Sequence, residues 1–355
     1  MGCQGGGAGS RRPGCWGRPR YTGGEEFSFS LPPREWIRLL VHAHRLAVQQ
    51  GGEEPLIGGQ AVIEGVMMRC PHSYCVAVRQ PDGQVVTEEG LLAKVSERHP
   101  MLGWPVLRGL GTLGQALWLG MKALRFSANA ALPESERKGR QAPIGPWLMA
   151  ANLALSLAFF LFLYKFVPLY LATRLKAWAP ALEGRIGFNL ADGLIRIALF
   201  VGFLLAISRW KDIRRVFEYH GAEHRVVFNF ESGKPLSVEN AQGFSTFHPR
   251  CGTSFLMVVM LVSIGAYALL PFESFGGRLA SRVLLLPLIA GVSYEVVRAA
   301  ARGGGGLLRA VAAPGLWLQR ITTRPPCAQQ TAVAIRALEG ALALEAAQGG
   351  RLVIC

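Results

Sequence analysis

The apolar residues of this chain are concentrated in four segments, near residues 147–171, 193–208, 254–271 and 280–298. A helix needs about 20 mainly apolar residues to cross a bilayer. The first and third segments reach this length, the second is short, and the fourth ends on charged residues. Only 17% of all residues are charged, against about 25% in a typical soluble domain. The pattern predicts an α-helical polytopic membrane protein with about four transmembrane helices and a small cytoplasmic α+β portion.

Basic residues predict how these helices are oriented. The formal net charge is +15, and the loop 209–252 carries seven Lys and Arg against three in the loop 172–192. Cytoplasmic flanks of spans carry such an excess. We therefore expect a multi-pass protein of the plasma membrane, in contact with membrane lipids, with both termini cytoplasmic. No basic stripe interleaved with aromatic residues is present, so we expect no nucleic-acid partner.

Composition and pattern divide the chain into six segments. We predict a disordered or weakly structured N-terminal extension (1–50), a cytoplasmic β-hairpin region with an interfacial helix (51–131), a first transmembrane hairpin (147–208), a cytoplasmic loop (209–252), a second transmembrane hairpin (253–300) and a cytoplasmic C-terminal tail (301–355). Within the second segment, two strand-like runs flank the turn sequence "PDG" at 81–83. Within the last, residues 327–349 predict a short helix. The spans are nearly free of charge, which argues against a charged permeation path.

The stretch "HGAEH" at 220–224 offers the first candidate metal ligands. His220 and His224 stand four residues apart and continue an apolar helical stripe that starts at Trp210. This spacing lets both imidazoles reach one ion, as in helical zinc motifs. Glu223 completes a His-x-x-Glu-His pattern, in which the carboxylate assists hydrolysis as a general base. The alternative is a helix end with two partly buried, hydrogen-bonded histidines.

The stretch "FHPRCGTSF" at 247–255 offers two more candidate metal ligands, His248 and Cys251. It lies just before the third apolar segment, on the same predicted side of the membrane as the first pair. Two histidines plus one further ligand and an open position are typical of catalytic zinc, whereas four closed ligands are typical of structural zinc. We therefore expect a divalent metal ion, with zinc as the first candidate, and the number of protein ligands distinguishes a catalytic from a structural site. A turn with a buried cysteine is the alternative.

A third stretch, "GGQAVIEGVMMR" at 58–69, places Glu64 in an apolar, glycine-rich strand. Glycines in a strand indicate a bulge or a close backbone approach. A buried carboxylate needs a partner, so Glu64 is either a further ligand or substrate-orienting group, or it lies on the wet face of the strand. Glu295 likewise either approaches the site or pairs with Arg298.

Together these motifs resemble the YqhQ-like family of bacterial membrane proteins. The matching stretches are "IGGQAVIEGVMMR" (57–69), "VAVRQPDG" (76–83), "GMKALRFSA" (120–128), "FEYHGAEHR" (217–225), "SVENAQGFSTFHPRCGTSF" (237–255) and "GVSYEVVRAAAR" (291–302). The resemblance implies a multi-spanning protein of a bacterial cell membrane and a family described as predicted metal-dependent enzymes, without an assigned reaction.

Two functional hypotheses follow. The first is a metal-dependent enzyme, a hydrolase in which Glu223 acts as the general base and Arg250 or Arg69 stabilises negative charge. The second is a non-catalytic scaffold or a transporter with a structural or sensory metal site.

Overall fold

The structure is a computed structural model that describes residues 57–93, 100–133, 146–301 and 306–348. The extension predicted for residues 1–50 lies outside the described residues. The strands are β1 (Gly58–Val62), β2 (Gly65–Arg69), β3 (Ser73–Arg79) and β4 (Val85–Leu91). The helices are α1 (Leu107–Ala130), α2 (Pro146–Leu161), α3 (Val167–Lys176), α4 (Arg185–Ile207), α5 (Lys211–Glu231), α6 (Val238–Gln242), α7 (Gly252–Ala268), α8 (Phe275–Leu284), α9 (Leu286–Ala301), α10 (Gly306–Thr322) and α11 (Ala328–Ala347).

The four strands form one antiparallel sheet in the order β1-β2-β3-β4. The turn predicted at 81–83 joins β3 to β4, and Gly83 there has φ +91°. The run predicted as one strand around Glu64 is instead a hairpin, because Val62 pairs with Gly65 across a two-residue loop. Glu64 adopts φ 54° in that loop, a conformation that few residues with side chains adopt. The loop turns the chain and removes Glu64 from the strand.

The sheet is buried on both faces because its side chains alternate between two helical layers. Val66, Met68 and Cys75 pack on one face against α5 and α11. Met67 and Val76 pack on the other face against α1. The helix predicted at 327–349 is present as α11, and it covers the sheet. The segment assigned to the C-terminal tail thus contributes to the central core.

Two helical stretches are long and apolar enough to cross a membrane, Ala151–Lys176 and Arg185–Ile207. The first is continuous through α2, a π-helical turn at Phe162–Phe166 and α3. Many of their large apolar side chains are exposed, among them Leu153, Leu155, Leu157, Phe159, Phe160, Phe162, Leu190 and Leu194. Exposed apolar surface on this scale is typical of a membrane or protein contact.

The other two predicted spans are less regular. Helices α8 and α9 together have sufficient length, but they meet at an angle of 51°, so the pair is either a broken span or a re-entrant loop. Helix α7 has 17 residues, fewer than the roughly 20 that a span requires. The described residues therefore contain two candidate spans, or three if the bent pair counts as one. The expected mostly helical architecture with a small sheet is confirmed.

Candidate metal centre

Helix α5 carries both histidines of the first motif. It follows α4 after a break of three residues, and it ends where Gly233 adopts φ +70° and returns its N–H to the Phe230 carbonyl. His224 is 1% exposed, and the His220 and His224 rings lie 4.5 Å apart between centroids. Trp210, predicted to begin the same buried stripe, is 67% exposed. The buried face therefore contains the histidines but not the tryptophan before the helix.

Each histidine is held by a backbone carbonyl through its Nδ1 atom. His220 Nδ1 lies 2.8 Å from the Thr322 carbonyl, and His224 Nδ1 lies 2.5 Å from the Thr246 carbonyl. A carbonyl can only accept, so both Nδ1 atoms carry the proton and both Nε2 atoms present a lone pair. Histidines that bind metals usually have this second contact, which fixes the ring and its tautomer.

Cys251 supplies the third donor atom. Its Sγ lies 3.2 Å from His220 Nε2 and 3.1 Å from Thr253 Oγ1. The donor atoms of His220, His224 and Cys251 all lie within 4.8 Å of one another. With Zn–N near 2.0 Å and Zn–S near 2.3 Å, tetrahedral ligands lie about 3.3–3.8 Å apart. The three side chains therefore fit a metal ion after small adjustments.

An unpartnered atom supports this fit. His224 Nε2 is buried without a hydrogen-bond partner among the described residues, and its nearest carboxylate oxygen, Glu223 Oε2, is 3.5 Å away. Burial lowers the pKa of His224 below its usual value. Cys251 opposes this shift, whereas His220 and His248 act in the same direction as burial. A neutral imidazole with an unused lone pair is the form that binds a cation.

His248 lies beside this group rather than in it. Its ring centroid is 5.5 Å from that of His224. Its Nδ1 accepts the Arg250 backbone N–H at 3.3 Å, and its Nε2 faces Glu231 Oε2 at 3.6 Å. Burial lowers the pKa of His248 to about 4, against the attraction of the Glu223 carboxylate. His248 is therefore neutral at neutral pH, and its Nδ1 atom accepts the hydrogen bond.

Glu223 is buried against the sheet at the edge of the same group. A Cβ on Gly59 would lie 2.6 Å from Glu223 Cγ, so the glycine of β1 permits this close approach. Burial raises the pKa of Glu223, while His220, His248, the Gly59 N–H and Arg250 oppose the rise. A carboxyl with a raised pKa, next to metal donors, is suited to proton transfer.

The two remaining predicted catalytic residues form ion pairs. Glu64 binds the Arg215 guanidinium with both carboxylate oxygens, and the Tyr219 hydroxyl lies 3.5 Å away. Arg250 pairs with Glu231, and burial lowers its pKa to about 10, so it stays cationic at neutral pH. Glu64 thus touches α5 one helical turn from the histidines but does not belong to the three-donor group.

Several contributors were missed from the sequence. Glu231, at the end of α5, pairs with Arg250, and its second carboxylate oxygen lies 3.6 Å from His248 Nε2. The Thr322 carbonyl comes from a distant helix and the Thr246 carbonyl from just before His248, and a backbone acceptor leaves no residue-type signal. Gly221 was the one available sign, because a glycine inside an otherwise ordinary helix indicates a close approach. Glu295, a candidate for this site from the sequence, instead binds Arg108 and the Val106 N–H.

The fold and this three-donor group define a mostly helical protein with candidate membrane spans and a buried His/Cys cluster. A family model described as "Protein of unknown function (DUF1385)" matches residues 104–344, more than half of the chain. The chain therefore belongs to that family. It is also 34% identical over 309 residues to "Uncharacterized protein YqhQ" of Bacillus subtilis (strain 168), covering 82% of this chain and 94% of that protein. The resemblance to the YqhQ-like family is thereby confirmed. No solved structure matches the chain.

Proposed function

We propose that this protein is a membrane-bound metal-dependent enzyme, a hydrolase whose site lies at the cytoplasmic membrane face and holds zinc. The observation that carries the proposal is the convergence of His220 Nε2, His224 Nε2 and Cys251 Sγ within 4.8 Å. Both imidazoles are anchored through Nδ1 to carbonyls, as in known metal sites. Three protein ligands with an open fourth position are typical of catalytic zinc.

In this proposal the metal would be held by His220, His224 and Cys251. When bound, it would supply Lewis-acid polarisation of the substrate and activation of water. Glu223, whose pKa is raised by burial, exchanges the proton with the attacking or leaving group. Arg250, buried and cationic, stabilises developing negative charge.

Glu64 acts in this proposal by position rather than by contact with the metal. Its two oxygens fix Arg215 on α5, between the membrane end of that helix and the histidines. Since a buried or half-buried carboxylate–guanidinium pair is bidentate and directional, it orients the surface that a substrate approaches.

The placement beside a membrane is supported by chain connectivity. Helix α4, a candidate span, ends at Ile207, and α5 begins at Lys211. His220 stands nine residues into α5, roughly 14 Å along its axis. The basic excess of the same segment supports a cytoplasmic position. We propose a substrate within reach of that face, such as a lipid, a peptide or a lipid-linked group.

A second candidate is a non-catalytic scaffold or transporter with a structural or sensory metal site. It is favoured by one observation: His248 Nε2 is buried without a hydrogen-bond partner among the described residues, 3.6 Å from Glu231. Rotation of the ring, with release of the proton from Nε2, would add His248 as a fourth ligand. A site closed by four protein ligands is structural.

Elemental analysis of detergent-purified protein tests the metal itself. We expect about one transition-metal ion per chain in the wild type and in a His72→Ala control, because His72 binds Glu345 instead. The double variant His220→Ala, His224→Ala should lose the metal. Unchanged metal content in this double variant would refute the proposal.

Cobalt substitution separates the two candidates. Cys251→Ser should remove the thiolate-to-cobalt absorption band. In the enzyme proposal, His248→Ala keeps its cobalt stoichiometry, and water-proton relaxation shows an exchangeable water on the metal. Loss of cobalt from His248→Ala, together with no exchangeable water, would instead establish the closed structural site.

A further inference from the structure

A second cluster of buried charge, separate from the histidine group, lies in the candidate membrane-spanning helices. Its members are Lys165, Asp192, Arg196 and Arg282, which are 7%, 1%, 2% and 1% exposed. Lys165 and Arg196 stand near the middle of the two candidate spans, where the sequence had indicated almost no charge. Ionisable groups at such positions are costly and are typical of functional sites.

The cluster contains more positive than negative charge. Asp192 Oδ2 accepts a hydrogen bond from Arg196 and another from Arg282 Nε at 3.4 Å. Among the described residues, no other carboxylate contacts these three cations; Glu273, nearby, is exposed and interacts with Arg278. One carboxylate therefore faces two guanidinium groups and one ammonium group. A buried charge without a counter-charge is strongly unfavourable.

Tyr267 is the centre around which these cations are arranged. Its ring centroid lies 5.6 Å from Lys165 Nζ, 5.4 Å from Arg196 Cζ and 5.0 Å from Arg282 Cζ. Its hydroxyl accepts from Lys165 at 3.3 Å and donates to the Arg282 carbonyl at 3.1 Å. A ring face attracts cations, but a neutral ring does not balance their net charge.

Two buried atoms in the cluster have no hydrogen-bond partner among the described residues. One is the Arg196 Nε donor, and the other is the Asp192 Oδ1 acceptor. The remaining Arg196 donor contact goes to Ser263 Oγ at 2.7 Å. A ligand that satisfies both free atoms must accept from a guanidinium and also donate to a carboxylate.

The backbone around the cluster is irregular in two places. Lys165 lies in the π-helical turn Phe162–Phe166, and such turns occur frequently at functional sites. Pro168, which follows, cannot donate a hydrogen bond to the preceding turn. Arg282 lies in the last turn of α8, at the 51° break before α9. Broken helices inside a membrane commonly line binding sites.

We propose that Lys165, Asp192, Arg196 and Arg282 form a binding site for a phosphate group that retains at least one proton. Guanidinium groups match phosphate oxygens in charge and geometry, and the ammonium of Lys165 adds a third cation. A phosphate that keeps one proton donates it to Asp192 Oδ1 while its other oxygens accept. Sulfate and phosphodiesters have no such proton at neutral pH. The group is carried either by free phosphate or by a phosphomonoester lipid headgroup.

Thermal unfolding of the full chain in detergent with EDTA tests this site independently of the metal. At pH 6, where roughly half of a phosphomonoester is singly protonated, we add inorganic phosphate, sulfate at matched ionic strength, or phosphatidic acid. A saturable rise in midpoint with phosphate, absent with sulfate, supports a free-anion site. A rise with phosphatidic acid alone, absent with phosphatidylglycerol, supports a headgroup site. No saturable rise in the wild type, or equal rises with sulfate and phosphate, overturns the proposal.

Two variants on one helix provide the matched comparison. Lys165→Met removes the buried cation and should weaken the apparent affinity roughly tenfold or more, since a hydrogen bond to a charged group is lost. Lys176→Met removes an exposed cation of the same helical stretch and should bind like the wild type. Asp192→Asn should lose the preference for phosphate over sulfate. Equal affinities in Lys165→Met and Lys176→Met would overturn the proposal even if phosphate stabilises the wild type.

Discussion

Replacing Gly221 by alanine is the most direct test of how the histidines are positioned. Gly221 lies on α5 between His220 and His224, where a Cβ would stand 2.0 Å from the Arg324 carbonyl oxygen and 3.3 Å from Thr246 Cγ2. The Thr246 carbonyl and the neighbouring Thr322 carbonyl are the acceptors that orient the two rings. The added methyl therefore acts on both supports at once.

The change in the free energy of unfolding caused by Gly221→Ala follows from two opposing effects. Alanine favours a helix over glycine by about 0.8–1.0 kcal/mol. Against this, ordinary contacts begin at 3.4 Å, so the Arg324 carbonyl must move by about 1.4 Å from its 2.0 Å position. The obstacle is backbone, which cannot rotate away as a flexible side chain would. Overpacking of this kind costs about 1–3 kcal/mol, occasionally more. After the helical gain of alanine is subtracted, we expect a net destabilisation of up to about 2 kcal/mol.

The effect on metal binding should exceed the effect on stability. Loss of a partner that orients a metal-binding histidine typically lowers metal affinity by about 10–100-fold. Cobalt titration followed by the thiolate absorption band measures this, and unfolding in EDTA measures stability without metal. Gly114→Ala serves as the control, because a Cβ there meets nothing within 4 Å and should stabilise α1 slightly. Gly221→Ala with unchanged cobalt affinity and unchanged stability would refute the reasoning.

The remaining predictions concern the core around the sheet. Burial alone would raise the pKa of Glu345, but hydrogen bonds from His72 and Ser73 outweigh it and lower the pKa. Its stabilising effect is therefore present above the unfolded value near 4.5 and is lost as pH falls below it. Glu345→Gln should cost about 2–3 kcal/mol at pH 7 and progressively less below pH ~4.5, by denaturant unfolding; a pH-independent cost would contradict this. Burial raises the pKa of both Cys70 and Cys75 to about 12, so at pH 8 their thiolate fraction is roughly a thousandfold below that of an ordinary thiol. Native alkylation followed by peptide mass spectrometry should leave both unmodified, and modification at the rate of the unfolded chain would contradict it.

The pairing of His220 and His224 could be predicted from the sequence because its signal is local. The i,i+4 spacing fixes His220 and His224 on one helical face, and α5 is a continuous helix across them. Cys251 joins the two histidines only if the chain after α5 returns to the end of that helix. In the structure it does, and Cys251 Sγ lies 3.2 Å from His220 Nε2. The tight turn at Glu64, which divides the predicted strand into β1 and β2, was not predicted. The residue with the left-handed conformation there is a glutamate, whereas a glycine would have indicated a turn. The orientation of His248 depends on Glu231, which lies outside the motifs recognised in the sequence.

The charged cluster could not be predicted because its members come from three separate helices. Lys165, Asp192 and Arg282 are spread over more than a hundred residues, and each looks like an isolated interruption of an apolar run. Only packing shows that they share one tyrosine ring. Asp192 and Arg196, an i,i+4 pair, were the one local sign that α4 has a polar face.

Helix α7 joins the two proposed sites and decides whether they can be tested separately. Cys251 precedes its first residue, while Ser263 and Tyr267 contact the charged cluster near its other end. Twelve residues separate Cys251 from Ser263, which is about 18 Å of helix. Perturbations separated by more than about 7–10 Å and without shared partners are usually additive. The variant Lys165→Met should therefore retain its metal, and His220→Ala with His224→Ala should retain its response to phosphate. A departure from additivity would mean that α7 transmits a change between the sites, and the metal would then regulate phosphate binding rather than act independently of it.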